Sequence, residues 1–396
     1  MNTRVFLPSL GIINALGCGK DEVAQGLFAG DTSGMVVEDG WLPDGTVRVG
    51  RARGTLPEIP TGLKTYDCRN NRLLLAALAQ IQSDVDAALS RFGRNRIGIV
   101  LGTSTSGIAE GEAAIAAHRA TGAFPAAFSY RQQEIGMPAV FLARHLGLSG
   151  PAYTVSTACT SSAKAFASAR NLLRHGLCDA VLVGGVDSLC RLTLNGFHAL
   201  ESITPALTNP LSRNRRGINI GEGAALFLMT REAAGFELLG IGETSDAYHM
   251  SAPQPEGLGA EAAMRAAIAE AGVTASDIDY LNLHATATPK NDEMESRAVA
   301  RVFGSPPQGV PASGTKPLTG HLLGAAGATE LAFCWLALRD GLMPPHFWDG
   351  EADGELPQLD LVSGKRQFTR TSNRRCLSNS FAFGGSNASL LIGDLR

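Results

Sequence analysis

Short, fully apolar runs alternate along the chain with longer alanine-rich stretches of helical periodicity. The runs 97–101, 180–183 and 278–283 have the length and the branched side chains of buried strands. Stretches 72–89 and 261–271 have the residue spacing of amphipathic helices. Strands that are apolar on both faces must be covered on both faces. The pattern therefore predicts an α/β fold with a parallel or mixed sheet between helices.

Composition narrows the class of protein further. The chain has 396 residues, 44% of them apolar and 18% charged, with a net charge of −3. This excludes disorder as the main state and argues against a nucleic-acid binder. At about 150 residues per domain, the length predicts two to three domains or two large halves. Seven scattered cysteines without a Cys-x-x-Cys pair indicate neither a disulfide framework nor a zinc site, and they fit a cytoplasmic location.

Two apolar segments raise the question of a membrane. Segment 1–18 has little charge and is interrupted by Pro8 and Asn14, so it predicts a first strand and a turn rather than a signal peptide. Segment 322–338 carries Glu330 in its middle, and a carboxylate is costly in lipid. We expect a buried helix with one acid that is functional or paired.

The chain also contains an internal repeat. Residues 156–173 and 315–333 each place a polar turn before a helix of small residues. This predicts two copies of one unit, an N-terminal half at 1–235 and a C-terminal half at 236–396.

Cys159 lies in the turn Thr-Ala-Cys-Thr-Ser-Ser, between a strand-like stretch and an Ala/Ser-rich helix. A sulfur at such a turn faces the helix N-terminus, where unpaired N–H groups and the dipole stabilise a thiolate. The small neighbours Ala158 and Ser161 leave room for a substrate. Most free cysteines are buried structural residues, but this context favours a nucleophile.

His284 closes the apolar run 278–283, at the strand end where α/β folds place their sites. Thr286 and Thr288 follow and offer hydroxyls on one side of an extended segment, because a strand has a period of two. A histidine at such a place can also be a satisfied surface or core residue.

His321 follows Lys316 in the stretch Lys-Pro-Leu-Thr-Gly-His and is expected to open a helix of small residues. Glu330 would lie about 180° around that helix from His321. It should therefore pair with Lys316, or with a group from another segment, rather than contact the imidazole. The alternative for Glu330 is a buried ion pair without a role in the reaction.

Residues 379–387 read Asn-Ser-Phe-Ala-Phe-Gly-Gly-Ser-Asn, with two glycines after Phe383. The glycines allow a tight turn with exposed N–H groups, which can bind an oxyanion. The alternative is a plain turn into a strand with a core phenylalanine.

Together the four segments resemble the β-ketoacyl-acyl-carrier-protein synthases of the thiolase superfamily, in the elongating Cys-His-His branch. The motifs are the cysteine turn, H-A-T-A-T-P-K-N-D, K-P-L-T-G-H-L-L-G-A-A-G and F-G-G-S-N, in the family's order along nearly the whole chain. The resemblance implies a duplicated thiolase-like fold whose two similar halves form a five-layered α-β-α-β-α arrangement. Within the family, the chain is more similar to synthases of aryl-polyene or polyketide clusters than to housekeeping ones.

The resemblance also implies roles for individual residues. It makes Cys159 the acyl-accepting nucleophile, and His284 and His321 the pair that binds the malonyl thioester carbonyl. The backbone N–H groups of Cys159 and Phe383 would form the oxyanion hole. The supporting residues that it implies are Thr286 and Thr288 for the pantetheine arm, Lys316 and Glu330 for ordering the site, and Phe383 as a gate.

The implied reaction is a decarboxylative Claisen condensation, which lengthens a fatty, polyene or polyketide acyl chain on Cys159 by two carbons from malonyl-carrier protein. The resemblance implies that the enzyme uses neither a metal nor a cofactor, since the phosphopantetheine arm belongs to the carrier protein. The implied partners are an acidic acyl carrier protein and either an identical chain or a chain-length-factor-like homologue. Lys64, Arg69 and Arg72 are candidates for docking the carrier.

Two other functions share this fold. A non-catalytic chain-length-factor-like subunit typically lacks the cysteine that is present here as Cys159. A degradative thiolase would need a second cysteine at the C-terminal Gly-rich turn, and Cys376 lies several residues upstream. The sequence departs from the family at Ala285, where H-G-T is usual. It departs again at Leu211 and Ser212, where the Phe and Asp of P-F-D-x-x-R-x-G are usual, which leaves the packing and ion pairing there open.

Overall fold

The computed structural model describes residues 4–395. Ten strands form the centre of the fold. They are β1 (Phe6–Asn14), β2 (Ile97–Gly102), β3 (Ala152–Val155), β4 (Ala180–Asp187), β5 (Gly223–Thr230), β6 (Phe236–Ser245), β7 (Tyr280–Leu283), β8 (Pro311–Gly314), β9 (Arg375–Phe381) and β10 (Ser386–Gly393). Short strands at the margins are Gly17–Cys18, Met35–Glu38, Val47–Gly50, Ile220–Gly221, Leu342–Met343, Asp360–Leu361 and Arg366–Gln367.

The two halves have the same strand order. The N-terminal half reads β3-β2-β4-β5-β1 and the C-terminal half reads β8-β7-β9-β10-β6. In each half the second strand pairs in parallel with its two neighbours, and the remaining pairs are antiparallel. The sheets adjoin through β1 and β6. The duplicated fold that the internal repeat predicts is confirmed.

Within residues 4–395, eleven helices pack outside and between the sheets. They are α1 (Lys20–Ala29), α2 (Arg69–Ala79), α3 (Gln82–Phe92), α4 (Ile108–Thr121), α5 (Met137–Leu146), α6 (Ser161–Arg174), α7 (Arg191–Ala199), α8 (Leu258–Glu270), α9 (Pro289–Phe303), α10 (Lys316–Thr319) and α11 (Ala326–Asp340). Single 3₁₀ turns cover Thr61–Tyr66, Tyr130–Gln132, Ala275–Asp277 and Leu323–Ala325.

Three apolar clusters separate the layers. The central cluster joins α6 and α11 to the inner faces of both sheets. A second cluster lies between the N-terminal sheet and α2, α3 and α5, and a third lies between the C-terminal sheet and α8 and α9. Strands β2 and β4 are buried along their whole length, as strands covered on both faces must be. The five-layered α-β-α-β-α arrangement is confirmed.

Two predicted elements differ from those observed. The single helix predicted over 72–89 is two helices, because the backbone leaves the helical region at Ile81, with a φ of −120° and a ψ of 13°. The strand predicted from residue 278 begins at Tyr280. Residues just before it form a 3₁₀ turn that is closed by a capping box between Thr274 and Asp277.

The two apolar segments lie inside the fold. Within the described residues, segment 1–18 forms β1 and a turn into the strand Gly17–Cys18, as predicted. Segment 322–338 forms a 3₁₀ turn and most of the buried helix α11, and its acid Glu330 is paired. Among residues 4–395, no helix is long and apolar enough to cross a membrane.

Candidate active site

The connections that follow the third strand of each half meet between the two sheets. In the N-terminal half this connection carries Cys159, just before α6. In the C-terminal half it carries His321, between β8 and α11. The Sγ atom of Cys159 lies 3.0 Å from Nε2 of His321, and both side chains are buried. The candidate nucleophile and one histidine are therefore in hydrogen-bond contact across the two halves.

Cys159 occupies a tight turn at the start of α6. Ala158 has a φ of 54°, in the left-handed region, and its carbonyl accepts the Ser161 N–H at 3.0 Å. Burial raises the pKa of Cys159 to about 11, although Lys316 and the backbone N–H of Phe383 oppose this. The expectation that the helix terminus gives a thiolate is not met in the resting protein. Desolvation of the sulfur outweighs the opposing effects of Lys316 and the backbone N–H groups, which favours the thiol form at neutral pH.

The second histidine lies beside the first. The ring centroids of His284 and His321 are 5.3 Å apart, at an interplanar angle of 83°. Burial, and then the charge of Lys316, hold the pKa of both imidazoles well below its usual range. Both rings are neutral at pH 7, so each can donate one hydrogen bond and accept another.

Lys316 connects His284 to α11. Its ammonium group donates to the backbone carbonyl of His284 and to Oε1 of Glu330, and it lies 3.4 Å from Nδ1 of His284. An ammonium group has only donors, so Nδ1 of His284 accepts and Nε2 carries the hydrogen. Burial raises the pKa of Glu330 to about 7, against the opposing charge of Lys316. The pairing of Glu330 with Lys316 agrees with the sequence.

His321 does not open a helix, contrary to the expectation. It lies between α10 and the 3₁₀ turn Leu323–Ala325, and α11 begins only at Ala326. Leu323 has a φ of 49°, which breaks the helical path. The backbone of His321 pairs with the strand Ile220–Gly221, with its N–H bonded to Asn219 O at 2.7 Å. The angular argument about Glu330 and His321 on one helix therefore does not apply.

Glu295, to which the sequence assigned no role, holds the backbone of the histidine loop. Its carboxylate on α9 accepts the N–H groups of His284 and Ala285, each at 2.7 Å, and it is fully buried. Burial raises the pKa of Glu295 to about 7. The sequence did contain a signal for this role, since Glu295 lies on the apolar face of the helix that follows the H-A-T motif. A buried acid at such a position needs hydrogen-bond partners.

Thr286 and Thr288 share one side of the loop, as predicted, and their hydroxyls lie 2.8 Å apart. The predicted extended backbone is wrong. Ala285 and Ala287 have φ values of 39° and 61°, so the loop alternates through the left-handed region. Asp292 stabilises this path because its carboxylate accepts the Ala287 N–H at 3.1 Å.

A cavity of about 310 Å³ opens onto the cysteine and the two histidines, and Thr286 and Thr288 also line it. Phe383 lies at this cavity with its ring centroid 5.5 Å from that of Phe197. The glycines after Phe383 have φ values of 88° and 77°, which only glycine adopts readily. This turn lets the N–H of Phe383 reach the Cys159 sulfur.

The positively charged residues predicted for carrier docking are engaged elsewhere. Lys64 and Arg72 both bind Asp67, at 3.3 Å and 2.7 Å. Arg69 binds the buried carboxylate of Glu222 at 2.7 Å. These residues line a separate cavity of about 810 Å³. The sequence could not show the pairing of Arg69, since Glu222 lies far along the chain, whereas Asp67 is a near neighbour of Lys64 and Arg72.

Two other cations line the cavity with the cysteine and the histidines. Arg216 and Lys290 are both exposed there. Within residues 4–395 neither forms an ion pair. Sequence spacing alone did not single them out, although Lys290 lies inside the H-A-T-A-T-P-K-N-D motif.

The family departures have local compensations. Arg215 pairs with Asp353 at 2.5 Å, so a carboxylate from a distant loop takes the place of the aspartate that Ser212 lacks. Ala285 packs beside Gly314, where an added Cβ would lie 2.5 Å from the Ala285 methyl group. Glycine at 314 therefore makes room for alanine at 285.

The ligand atoms of Cys159, His284 and His321 lie within 4.8 Å of one another. A thiol and two imidazoles are ligand types that zinc accepts. The ammonium group of Lys316, 3.4 Å from Nδ1 of His284, opposes a second positive charge at this place. The arrangement suits a nucleophile, a proton acceptor and two hydrogen-bond donors facing one cavity.

Comparison with known proteins agrees with this geometry. Sequence models of the β-ketoacyl synthase N-terminal and C-terminal domains match residues 68–234 and 236–347. Nodulation protein E of Rhizobium sp. (strain N33) is 33% identical over 98% of this chain and 99% of its own. The 3-oxoacyl-[acyl-carrier-protein] synthase 2 of Rhizobium meliloti (strain 1021) is 37% identical over 62% of this chain and 61% of its own.

A solved structure gives a similar result. The structure of the ketosynthase ApeO in complex with its chain length factor ApeC, from Xenorhabdus doucetiae, contains a chain that is 45% identical to this one. The match covers 99% of this chain and 98% of that chain, with a TM-score of 0.95.

Proposed function

The chain belongs to the β-ketoacyl synthase family, and from that premise we propose how its own residues carry out the reaction. The protein is a condensing enzyme of the acyltransferase class, a 3-oxoacyl-acyl-carrier-protein synthase. It needs no cofactor of its own, because the phosphopantetheine arm comes with the carrier. The observation that carries our assignment is the 3.0 Å contact between Cys159 Sγ and His321 Nε2, with His284 alongside.

Acylation starts from neutral groups. As the sulfur of Cys159 attacks the acyl thioester, its proton passes to Nε2 of neutral His321. The tetrahedral oxyanion receives hydrogen bonds from the N–H groups of Cys159 and Phe383. The carrier thiolate leaves and takes the proton back from His321, so the acyl group remains on the sulfur.

Condensation uses the same cavity. Malonyl-carrier protein loses carbon dioxide as its C–C bond breaks, and the electron pair forms an enolate with its charge on the thioester oxygen. His284 donates to that oxygen from Nε2. His321 donates the second hydrogen bond from Nε2 once its ring hydrogen has moved from Nδ1 to Nε2 by proton exchange with solvent, which leaves the imidazole neutral. The carbanion attacks the acyl carbonyl on Cys159. The C–S bond then breaks, and the thiolate is protonated by solvent.

We propose that Thr286 and Thr288 bind the pantetheine arm, because their hydroxyls line the cavity. Lys316 and Glu330 order the histidines through the buried ion pair, and Phe383 gates the cavity. The division into halves at 1–235 and 236–396 is supported by the matching strand order and by the boundary between the two family models.

The proposed partners are an acyl carrier protein and a second ketosynthase-like chain. Similarity to a ketosynthase that forms a complex with its chain length factor supports a heterodimer of that kind, with a homodimer as the alternative. The presence of Cys159 speaks against this chain being the non-catalytic partner. We also propose an aryl-polyene or polyketide pathway, which rests on the resemblance of the sequence to synthases of such clusters. Seven free cysteines support a cytoplasmic location.

Arg216 and Lys290 replace Lys64, Arg69 and Arg72 as our candidates for docking the acidic carrier, because they line the reaction cavity and form no ion pair within residues 4–395. Charge reversal of both residues should raise KM for the carrier substrate by roughly tenfold at low salt. Reversal at Lys64 is the matched control and should change KM much less. Equal effects from the two changes would reject this assignment.

Mass spectrometry of the intact protein tests the main assignment. After incubation with a set of acyl-carrier-protein thioesters, we expect a mass increase that is lost in Cys159→Ala and kept in Cys376→Ala. His321→Ala should stop malonyl decarboxylation but leave some acyl transfer. No acylation of the unaltered protein by any thioester would reject the catalytic function.

A further inference from the structure

Asp187, at the end of β4, is a fully buried carboxylate that the reaction above does not use. Its Oδ1 atom accepts four hydrogen bonds from the loop after β2. They come from Thr103 Oγ1 at 2.7 Å, Ser104 N at 2.8 Å, Thr105 N at 2.8 Å and Thr105 Oγ1 at 2.7 Å. One oxygen therefore holds a loop of the N-terminal half.

The other oxygen holds the C-terminal half. Oδ2 of Asp187 accepts the N–H of Ala325 at 2.8 Å, a hydrogen that is shared with Leu322 O at 2.9 Å. Ala325 lies in the 3₁₀ turn that follows His321. The backbones are too close here for larger residues, since a Cβ on Gly324 would lie 2.7 Å from Ser104 N.

A second side chain of the N-terminal half binds the same region. Ser162 Oγ accepts the N–H of Ala328 at 2.9 Å, in the first turn of α11. Ala328 thus places an N–H group of the first helical turn, and Ala325 an N–H group that it shares with Leu322 O, against acceptors of the other half. A carboxylate also suits the positive end of a helix. The start of α11, and the Glu330 that it carries, is located by the nucleophile's half.

His321 depends on this backbone placement. Its Nδ1 atom is buried and has no hydrogen-bond partner in the described part of the chain. Within residues 4–395, no hydrogen bond at Nδ1 therefore fixes the orientation of the ring. The position of the imidazole against Cys159 follows from the backbone on either side, which Asn219 holds before the turn and Asp187 holds within it.

We propose that Asp187 is a positioning residue for the condensation, which sets His321 of one half against Cys159 of the other by tying Ala325 to the loop at Thr103–Thr105. This inference rests on the proposed function. Asp187→Asn keeps the size of the side chain but leaves a single acceptor oxygen. Its NH₂ group would then face either the donors at Thr103–Thr105 or the N–H of Ala325, and the hydrogen bonds to that half would be lost.

The test separates positioning from stability. Asp187→Asn should lower the rate of malonyl decarboxylation by roughly tenfold to hundredfold, since misplacement by about 1 Å has such effects. KM for the carrier substrate should change little, because the mouth of the cavity is intact. The rate of Cys159 acylation, measured by mass spectrometry, should fall less than the rate of decarboxylation.

Asp279→Asn is the matched control. Asp279 is also a largely buried aspartate, and it accepts the backbone N–H of Arg375 at 2.8 Å. It directly precedes β7, so it lies at the end of that strand away from His284. It should lower thermal stability and leave the ratio of decarboxylation to acylation unchanged. An unchanged ratio in Asp187→Asn as well would overturn the proposal.

Thr105→Val provides a milder variant if Asp187→Asn does not fold. It removes one of the four bonds to Oδ1 and should lower the ratio in the same direction, by roughly twofold to fivefold. A normal ratio in folded Thr105→Val would also overturn the proposal. Failure of the proposed function looks different, since the unaltered protein would then show neither acylation nor decarboxylation.

Discussion

The two halves share one strand order but differ in the connection after their third strand. Residues 156–160 join β3 to α6 in the N-terminal half, whereas residues 315–325 join β8 to α11 in the C-terminal half. The short connection leaves a sulfur at the start of a helix. The long one has room for α10 and a 3₁₀ turn, and so for Lys316 and His321. The two halves therefore share their strand order, and the longer connection at 315–325 allows the C-terminal half to carry Lys316 and His321.

The loops after the second strands show a related difference. The N-terminal loop begins at Thr103 and the C-terminal loop begins at His284. Each is held by a buried carboxylate that accepts two successive backbone N–H groups. Asp187 does this from a strand and Glu295 does it from a helix. Both halves meet the same need, since N–H groups buried at a sheet end must be satisfied, but they use acids from different elements.

The buried ion pair of the C-terminal half gives the largest expected effect. Lys316→Met leaves the Glu330 carboxylate buried without its partner, which should lower the free energy of unfolding by about 3–5 kcal/mol. Urea denaturation measures this. The double variant with Glu330→Leu should regain most of the loss, because it no longer buries a charge.

The N-terminal half offers the control. Arg96 and Asp179 pair at 2.7 Å near the surface, and Arg96→Met should lower stability far less than Lys316→Met does, because exposed ion pairs contribute little. A similar loss in Arg96→Met and Lys316→Met would show that burial does not distinguish the two ion pairs.

Acid should weaken the C-terminal half through His346. Its Nδ1 atom accepts the Gly314 N–H at 3.0 Å, its Nε2–H donates to Pro210 O at 3.1 Å, and burial lowers the pKa of His346 to about 4. Since the folded pKa lies below the unfolded value of about 6.5, this stability is complete above pH 6.5. It is lost as pH falls toward 4, by about 3 kcal/mol.

Hydrogen exchange can localise that effect. Between pH 6.5 and 4, peptides that contain the end of β8 should lose protection before those that contain the end of β3. His346→Gln keeps a donor and an acceptor without titrating, so it should remove the difference. Equal loss of protection at both strand ends would contradict the assignment to His346.

Glu295→Gln tests the acid that holds the histidine loop. A carboxamide has one acceptor oxygen where the carboxylate has two, so one of the N–H groups of His284 and Ala285 loses its partner. The free energy of unfolding should fall by about 1–3 kcal/mol. Glu293→Gln, on the same helix but in an exposed ion pair with Arg297, should change it by less than about 1 kcal/mol. Urea denaturation of both variants measures these free energies, and equal losses in the two variants would contradict the role given to Glu295.

The sequence predicted those parts of the site that lie in continuous motifs. Cys159, His284 and His321 lie on one cavity, and Lys316 pairs with Glu330. The sequence did not reveal Glu295 or Asp187 as anchors, because a buried acid and its backbone donors are neighbours only after folding. The ion pair of Arg69 with Glu222 also depends on a contact with a distant segment.

Two alanines with a strained backbone, beside Cys159 and His284, give the smallest expected effect. Ala158 precedes Cys159 and Ala285 follows His284, and both have a left-handed backbone, at φ values of 54° and 39°. Such a backbone costs a non-glycine residue about 1–2 kcal/mol. The two methyl groups differ, since Ala158 is exposed and Ala285 is fully buried.

Glycine at these two positions should therefore have different effects on stability. Ala158→Gly relieves the strain and loses no buried surface, and the extra freedom of unfolded glycine offsets about 0.5–1 kcal/mol. We expect a gain of up to about 1 kcal/mol. Ala285→Gly also loses a buried methyl group of about 0.8 kcal/mol, so its stability should stay level or fall slightly. A higher Tm for Ala285→Gly than for Ala158→Gly would mean that the Ala285 methyl group strains its packing against Gly314 instead of supporting it.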